Sequence, residues 1–430
     1  MLLFFYSAAL YLVLVVSAPY WLFRVATTEK YRHGLAERLG RLPRRVLDAR
    51  GMRPVIWVHA VSVGEVLAAS RLIEELQERA IGYRVLVSTT TRTGQELARM
   101  KFGDDRVFYF PLDFNWVVRR YQHAIRPALL ILMETEFWPN FLAGCGRDGI
   151  PVMVVNARIS DRSYPRYQRL RALWRQILSV ITLALAQTEE DVTRLIAIGL
   201  PAGRVRIGGN LKFDVRTALP AAATTGLRDH IPNGGDLLVA GSTLEGEEGL
   251  LLEAWPKVVA AIPGSRMVLA PRHPERFAAV TTLLERSGIW WTRRSEWLRA
   301  PCDLPPGAVF LLDSMGELAS IYSLATLAFV GGSLVPAGGH NPLEPAQYAV
   351  PVVMGPHYAN FRSIVETLRA EQALQIVEPG DLANVLIDRM QHRQETASMG
   401  ARARHIFERE GGATGRAVEA ILELLAQARR

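Results

Sequence analysis

The chain has 430 residues, with 50 Lys+Arg against 42 Asp+Glu for a net charge of +8, and is 49% hydrophobic and 21% charged. Those proportions exclude a disordered chain and a mini-protein, and at ~100–200 residues per domain the length suits two domains, each with its own core. The two cysteines, Cys145 and Cys302, exclude a disulfide scaffold and an all-cysteine zinc site and point to reducing surroundings. An isoelectric point near 9.7 calls for an anionic partner: nucleic acid, phospholipid headgroups or a phosphorylated substrate.

From Leu2 to Phe23 no residue carries a formal charge. As a helix this stretch would rise roughly 33 Å, enough to cross a bilayer. No basic residue precedes it and Ser17-Ala18-Pro19 is a poor cleavage site, so a retained anchor is expected rather than a signal peptide. Arg24, Lys30, Arg32, Arg38, Arg41, Arg44 and Arg45 follow, a flank that stays cytoplasmic. Pro19 and the three tyrosines leave a second possibility open, a segment that only dips into the interface beside a basic platform.

Beyond Arg53, short apolar β-branched runs alternate with helix-like stretches, the pattern of parallel βαβ units. The predicted strands of the first half are Val55–Ala60, Val85–Thr89, Val107–Phe110, Ala128–Met133, Val152–Asn156, Leu183–Gln187 and Val205–Gly208. Arg216–Asp236 reads as a linker. A second series follows: Asp236–Ala240, Met267–Ala270, Val309–Leu312, Leu327–Val330 and Val350–Met354, closed by an amphipathic helix over Ala417–Arg430. Two doubly wound domains are expected, with ligands beyond the carboxyl ends of the strands. The domains are 1–50 (anchor and basic flank), 51–215 (amino-terminal Rossmann-like) and 216–430 (linker and carboxyl-terminal Rossmann-like), with the last helix a candidate to pack back on the amino-terminal domain.

The informative residues lie where the strands end. Glu65, in Trp57-Val58-His59-Ala60-Val61-Ser62-Val63-Gly64-Glu65, opens a helix and offers a general base, or else complements the helix dipole. Ala60-Val61-Ser62-Val63-Gly64 also resembles a nucleophile elbow, the basis of an alternative reading as a membrane-associated serine hydrolase using Ser62. Glu134 and Glu136 leave the fourth strand together; strand alternation would put them on one side, raising each other's pKa, unless they are a solvated strand end. Lys212, in Gly209-Asn210-Leu211-Lys212-Phe213-Asp214, suits charge on a leaving phosphate or is one more surface lysine. Arg147, Arg158, Arg162, Arg166, Arg169, Arg171 and Arg175, interleaved with Tyr164, Tyr167 and Trp174, form either a seat for a phosphorylated lipid headgroup or a solvated helix.

In the second half, Arg272 of Ala270-Pro271-Arg272-His273 presents a guanidinium to phosphate. Asp313-Ser314-Met315-Gly316-Glu317 is another strand-to-helix turn. In Gly338-Gly339-His340-Asn341-Pro342-Leu343-Glu344, Asn341 reads as N-cap, Pro342 as the first helical residue and Glu344 as capping-box partner, a helix start suited to a phosphate. There is no G-x-G-x-x-G after a strand, no P-loop, no H-E-x-x-H and no Asp-x-Asp pair, so a metal-independent site is expected. No familiar nucleic-acid-binding module occurs.

WVHAVSVGE, METEFWPN, NARIS, GNLKFD, APRHPER, DSMGEL, FVGGS and GGHNPLEPA, in this order over essentially the whole chain, resemble the 3-deoxy-D-manno-octulosonic acid (Kdo) transferases of Gram-negative lipopolysaccharide synthesis. The resemblance implies a GT-B glycosyltransferase, two Rossmann-like domains facing a cleft, held at the inner membrane by an amino-terminal anchor with its catalytic domains on the cytoplasmic face. It implies transfer of Kdo with inversion from CMP-Kdo to the phosphorylated lipid A precursor (lipid IVA), without a metal or cofactor and with no nucleic-acid partner. By motif, Glu65 matches the family's general base, and Glu134 and Lys212 its transition-state stabilisers. Pro271, Arg272, Met315, Gly316, Glu317, Asn341, Pro342, Leu343 and Glu344 match its CMP contacts. Leu244, in Ser242-Thr243-Leu244-Glu245, stands where the family often has His, which removes any donor contact by that side chain.

Overall fold

The computed structural model describes residues 2–28, 32, 34–214, 219–231 and 235–427. Lys30, residues 216–218 and 232–234 of the expected linker and residues 428–430 of the expected closing helix lie outside the described residues. The chain divides into two compact units, Met1–Asp214 with Gly411–Arg430, and Val215–Glu410.

Unit 1 is built on β1 (Val55–His59), β2 (Arg84–Thr89), β3 (Val107–Tyr109), β4 (Pro127–Met133), β5 (Val152–Ala157), β6 (Ile181–Ala186) and β7 (Val205–Ile207). All pairings are parallel, in the order β3-β2-β1-β4-β5-β6-β7. The strands are nearly continuous apolar runs because helices cover both faces of the sheet. Alternation divides them between two cores: Val55, Trp57, Leu130 and Leu132 enter one, Ile56, Val58, Leu129, Ile131 and Met133 the other. The second core also holds Ala417, Ile421 and Leu425 of the closing helix Ala413–Gln427, packed with Leu72, Ile73 and Leu76 of the helix Val63–Arg79. Asp214 fastens that helix, accepting hydrogen bonds from the N–H groups of Gly412 (2.6 Å) and Thr414.

Unit 2 repeats the design with β8 (Leu237–Thr243), β9 (Arg266–Pro271), β10 (Trp291–Arg293), β11 (Val309–Leu311), β12 (Leu327–Val330), β13 (Val352–Met354) and β14 (Gln375–Ile376), ordered β10-β11-β9-β8-β12-β13-β14. The twelve expected strands are present within a few residues. The two without a counterpart in the sequence reading, β10 and β14, are the edge strands, two or three residues long and only partly buried, so they carry no apolar run. The linker reading is corrected: a helix, Ala222–His230, sits there. Its Ala223 and Leu227 are buried in the unit 2 core, and Thr224 shares a 2.6 Å hydrogen bond with Ser320. Small Ala, Thr and Gly side chains hid its one buried stripe.

In a doubly wound sheet the chain reverses its direction of travel at one point, and ligands bind beyond the strand carboxyl ends there. The strand orders put that point between β1 and β4 in unit 1 and between β8 and β12 in unit 2. The amino-terminal helix Leu2–Thr27 includes one stretch, Leu3–Arg24, long and apolar enough to cross a membrane.

Candidate active site

At the unit 1 switch point the chain leaves β1 through Ala60–Ser62 and turns into the helix Val63–Arg79. The Val61 carbonyl accepts from the N–H groups of Thr90 (3.1 Å) and Thr91 (3.0 Å), which fixes the turn. Glu65 folds back over it: Oε2 accepts from Val61 N–H at 2.9 Å and Oε1 from the Ser62 hydroxyl at 3.3 Å. The side chain therefore braces the turn into the helix, but that is not all it does. Burial pushes its pKa up to about 8 against these two donors, and the nearby Glu134 and Glu136 carboxylates push the same way.

Glu134 and Glu136 follow β4, the strand beside β1. The alternation argument for them fails, because β4 ends at Met133 and Glu134 is left-handed at φ 56°. A non-glycine residue in that region costs of order 1 kcal/mol and persists where its surroundings dictate it. Its N–H donates to the Val155 carbonyl at 2.9 Å, and Thr135 Oγ1 donates to the Arg158 carbonyl at 2.9 Å. The two carboxylates are nonetheless coupled: burial, then Glu134, raises the pKa of Glu136.

Lys212 arrives from beyond β7. Leu211 and Phe213 on either side of it are buried, which leaves the lysine as the residue presented by this turn. Burial lowers its pKa, Glu134 and Glu65 oppose that shift, and Arg158 adds to it. Glu65, Glu134, Glu136, Arg158 and Lys212 thus form one electrostatic group. A residue the sequence reading passed over holds it together. Asn156, also left-handed (φ 60°), interrupts β5 and turns its Oδ1 to accept from Leu211 N–H at 3.0 Å, while Asn210 Oδ1 accepts from Lys212 N–H at 3.0 Å. The only signal in the sequence was an Asn at the end of an apolar run.

The Ser62 reading is corrected. Ser62 is extended (φ −124°), without the strained turn of a nucleophile elbow. The nearest histidine, His59, is fully buried, bonded through Nδ1 to Ser88, stacked on Phe110 and pushed down to about 3 by burial. The arginine-rich segment is divided. Tyr167 and Trp174 pack on one another and on Phe137, whereas Arg162, Arg166, Arg169, Arg171 and Arg175 are exposed.

In unit 2, β8 runs out through Gly241, Ser242 (φ 56°) and Thr243 beside Gly331 and Gly332 after β12. A Cβ at Gly241 would collide with the buried Tyr322 hydroxyl, and one at Gly331 would lie 2.7 Å from Thr243 Cα. Glu247 ties the two strand ends: its carboxylate accepts from the N–H groups of Leu244 (2.9 Å), Gly332 (2.7 Å), Ser333 (2.9 Å) and Leu334 (2.9 Å). Glu248, fully buried, pairs with Arg276 at 3.2 Å. Leu244 contributes its backbone to this knot.

Pro271 ends β9 and Arg272 follows it, with its N–H on the Thr243 carbonyl at 2.9 Å. Among the described residues Arg272 forms no salt bridge. It faces Glu344, whose pKa burial raises and Arg272 lowers, and His340, whose imidazole is kept neutral by burial, Arg272 and His273, down to about 4. His340 is a second residue missed. The N-cap reading of Asn341 holds in part. Asn341 Oδ1 accepts from Leu343 N–H at 3.1 Å, but Pro342 occupies the cap position before a helix of only four residues, Leu343–Ala346. The capping-box role of Glu344 is corrected, since no side chain caps that helix and Glu344 is oriented by burial beside Arg272. Met315 and Gly316 form an exposed turn after β11, Gly316 at φ 87°. Glu317 is engaged by Arg294 (2.6 Å) and Ser314 (2.5 Å). Arg272 and the Met315–Glu317 turn follow the neighbouring strands β9 and β11.

Among the described residues no group of three His, Cys, Asp or Glu side chains is placed to hold a metal ion. The sequence profile of the family described as 3-deoxy-D-manno-octulosonic-acid transferase (kdotransferase) matches residues 33–215. The 3-deoxy-D-manno-octulosonic acid transferase of Haemophilus influenzae is 35% identical over 378 residues, 85% of this chain and 85% of its own. That of Bordetella pertussis is 34% identical over 381 residues, 86% and 87% of the two chains. MurG of Acinetobacter baumannii, a solved structure, aligns over 86% of this chain and 99% of its own at a TM-score of 0.54 and 16% identity, a likeness of GT-B fold alone. With relatives this similar over most of both lengths, the chain belongs to the 3-deoxy-D-manno-octulosonic acid transferase family and is a glycosyltransferase.

Proposed function

We propose that the chain moves Kdo from CMP-Kdo to the phosphorylated lipid A precursor lipid IVA, inverting the anomeric centre without a metal, at the cytoplasmic face of the inner membrane, in lipopolysaccharide synthesis. In this reading unit 1 is the acceptor unit and unit 2 holds the nucleotide. The observation that carries it is the buried Glu65 carboxyl at the unit 1 switch point, held near 8 and grouped with Glu134 and Lys212.

The step breaks the bond from the Kdo anomeric carbon to the CMP phosphate and forms one to an acceptor hydroxyl oxygen. That hydroxyl proton goes to Glu65, and CMP leaves with the bonding electron pair. A base is most effective with a pKa near the working pH, which burial of Glu65 supplies. Glu134 and Lys212 steady the charge that develops, the lysine offsetting the carboxylates around it. In unit 2, Arg272 supplies positive charge to the departing phosphate, and Glu344, Asn341 and the Pro342–Leu343 backbone engage the nucleoside. Pro271 shapes the approach of Arg272. Met315 and Gly316 offer backbone groups in the turn that Glu317 braces.

Incubation with CMP-Kdo and lipid IVA is expected to release CMP and yield a glycosylated lipid, with turnover unchanged by EDTA. Turnover by Glu65→Gln at the parent rate would remove Glu65 from the chemistry. Loss of turnover in EDTA, restored by a divalent ion, would overturn the metal-free reading.

A further inference from the structure

Arg158 belongs to the unit 1 group of charges, yet the transfer as proposed gives it no task. It follows Ala157, the last residue of β5, beside β4, which delivers Glu134 and Glu136. The backbone there is held firmly. The Arg158 carbonyl accepts from Thr135 Oγ1 at 2.9 Å, the Ile159 N–H donates to Asp191 Oδ1 at 3.0 Å, and the Ile159 carbonyl accepts from Arg194 Nη1 at 2.6 Å. Asp191 is itself buried and set by the Thr188 hydroxyl, which donates to its Oδ2 at 2.8 Å. Because Thr135 lies between Glu134 and Glu136, the bond that pins Arg158 also joins its loop to the turn carrying both carboxylates. The Arg158 side chain is half-buried, whereas Arg162, Arg166, Arg169, Arg171 and Arg175 are exposed. Among the described residues its guanidinium forms no salt bridge and no hydrogen bond, although its charge acts on Lys212. A half-buried guanidinium on a fixed backbone, not paired with the acids around it, is suited to an anion from outside the chain.

The sugar that the family transfers is an acid, an ulosonic acid whose carboxylate is bonded to the anomeric carbon itself. In the attack the acceptor oxygen comes within ~3–3.5 Å of that carbon. That oxygen is then giving its proton to Glu65, so the sugar's carboxylate arrives one bond further on, among Glu65, Glu134 and Glu136. A fourth negative charge left unpaired there would be repelled. Lys212 is already opposed by Glu134 and Glu65. We propose that Arg158 binds the carboxylate of the sugar being transferred, which selects an acidic sugar and sets the face of the anomeric carbon that meets the acceptor hydroxyl. This rests on the donor and the base proposed above and adds a specificity-determining residue to them. The planar guanidinium fork matches a carboxylate through two parallel N–H bonds and cancels its single charge. A phosphate group of the acceptor is the competing anion, but at close to two negative charges it would leave excess charge beside three carboxylates.

Arg158→Ala and Arg158→Lys, made in the full chain and assayed with CMP-Kdo and lipid IVA, provide the test. Arg158→Ala should lower kcat/KM for CMP-Kdo by about 10–100-fold, the effect of deleting a hydrogen bond to a charged group, with the KM for lipid IVA and the melting temperature unchanged. Arg158→Lys keeps the charge without the fork and should fall between Arg158→Ala and the parent. Guanidinium ion at millimolar concentration should restore part of the turnover of Arg158→Ala and none to Glu65→Gln. Unchanged donor kinetics in Arg158→Ala would overturn the proposal. So would a raised KM for lipid IVA with kcat/KM for CMP-Kdo intact, which would assign Arg158 to an acceptor phosphate. A melting temperature that falls together with turnover in both variants, unrelieved by guanidinium, would make Arg158 structural and overturn it as well. Absence of a glycosylated product from the parent chain would instead strike the proposed transfer on which Arg158 depends.

Discussion

The two sheets end in carboxyl edges of opposite electrostatic character. In unit 1 three carboxylates crowd one another and a lysine, and Glu65 is left above the ordinary carboxylate range. In unit 2 most acids are already committed: Glu247 to four backbone N–H groups, Glu248 to Arg276 and Glu317 to Arg294. Among the described residues Arg272 is left without a salt bridge there. Unresolved like charge is what a mobile proton needs; neutralised acids around a spare guanidinium are what an anion needs. In the proposed function the edges differ as a chemical site differs from a holding site.

The sharpest way to break the contrast is Glu65→Gln, which keeps an acceptor for Val61 N–H and removes the titrating group. Turnover should fall by about 10²–10⁴-fold. Stability should move the other way. Because the folded-state pKa lies above the unfolded one, the protonated acid is favoured on folding. That contribution is complete below about 4.5 and is lost as pH rises through about 8. At pH 9 the variant should therefore melt at least about 2 °C higher than the parent, as read by calorimetry. An equal loss of activity and stability would mean that Glu65 only braces the turn before its helix.

In unit 2 the matching substitution is structural. Glu247→Gln puts an amide donor among four N–H donors in a fully buried place, at a cost of about 3 kcal/mol. A lowered urea midpoint and weakened CMP binding are expected together; unchanged CMP affinity would separate the Glu247 knot from the nucleotide. In unit 1, Asn156→Ala deletes the acceptor for Leu211 N–H and should lower kcat about tenfold with little change in KM, since it acts by placing Lys212. Asn156→Gly keeps the left-handed backbone but not the bond. If Asn156→Gly retains full kcat, backbone conformation rather than the Oδ1 contact is what matters.

Much of this was legible along the chain because parallel strands buried on two faces leave long apolar runs, and the residues that follow them are the ones the switch points expose. Val55–His59 with Glu65, and Pro127–Met133 with Glu134, are the clearest examples. What the pattern could not show is what each side chain turns toward. Asn156 looks like the polar end of a strand until its φ angle and its bond to Leu211, 55 positions away, are seen. Glu344 fits a capping box in one dimension and lies beside Arg272 in three. The apolar run of the amino terminus is long enough to cross a membrane, but its hydropathy contains nothing of the Tyr6–Asp113 and Ser7–Asn140 contacts that dock its start on unit 1. Local propensity is written in neighbouring residues; orientation is set by distant ones.

The smallest expected effect sharpens the comparison most. If crowding by like charge contributes to holding Glu65 near 8, removing one neighbour should lower it without touching the base itself. Glu136→Gln does this: it takes away a carboxylate that acts on Glu65 through space and makes no hydrogen bond to it. The rising limb of kcat/KM against pH, set in the free enzyme by the ionisation of the base, should stand near 8 in the parent and move to lower pH in the variant. At a fixed pH below the limb, the ionised fraction of the base grows as the limb moves down. A displacement of a few tenths of a pH unit would make the variant roughly twofold to threefold faster at pH 7, with the plateau above the limb unchanged. A limb that stays in place would assign the raised Glu65 pKa to burial alone. A plateau that falls would give Glu136 a role in the chemistry that its neighbour Glu134 does not fill.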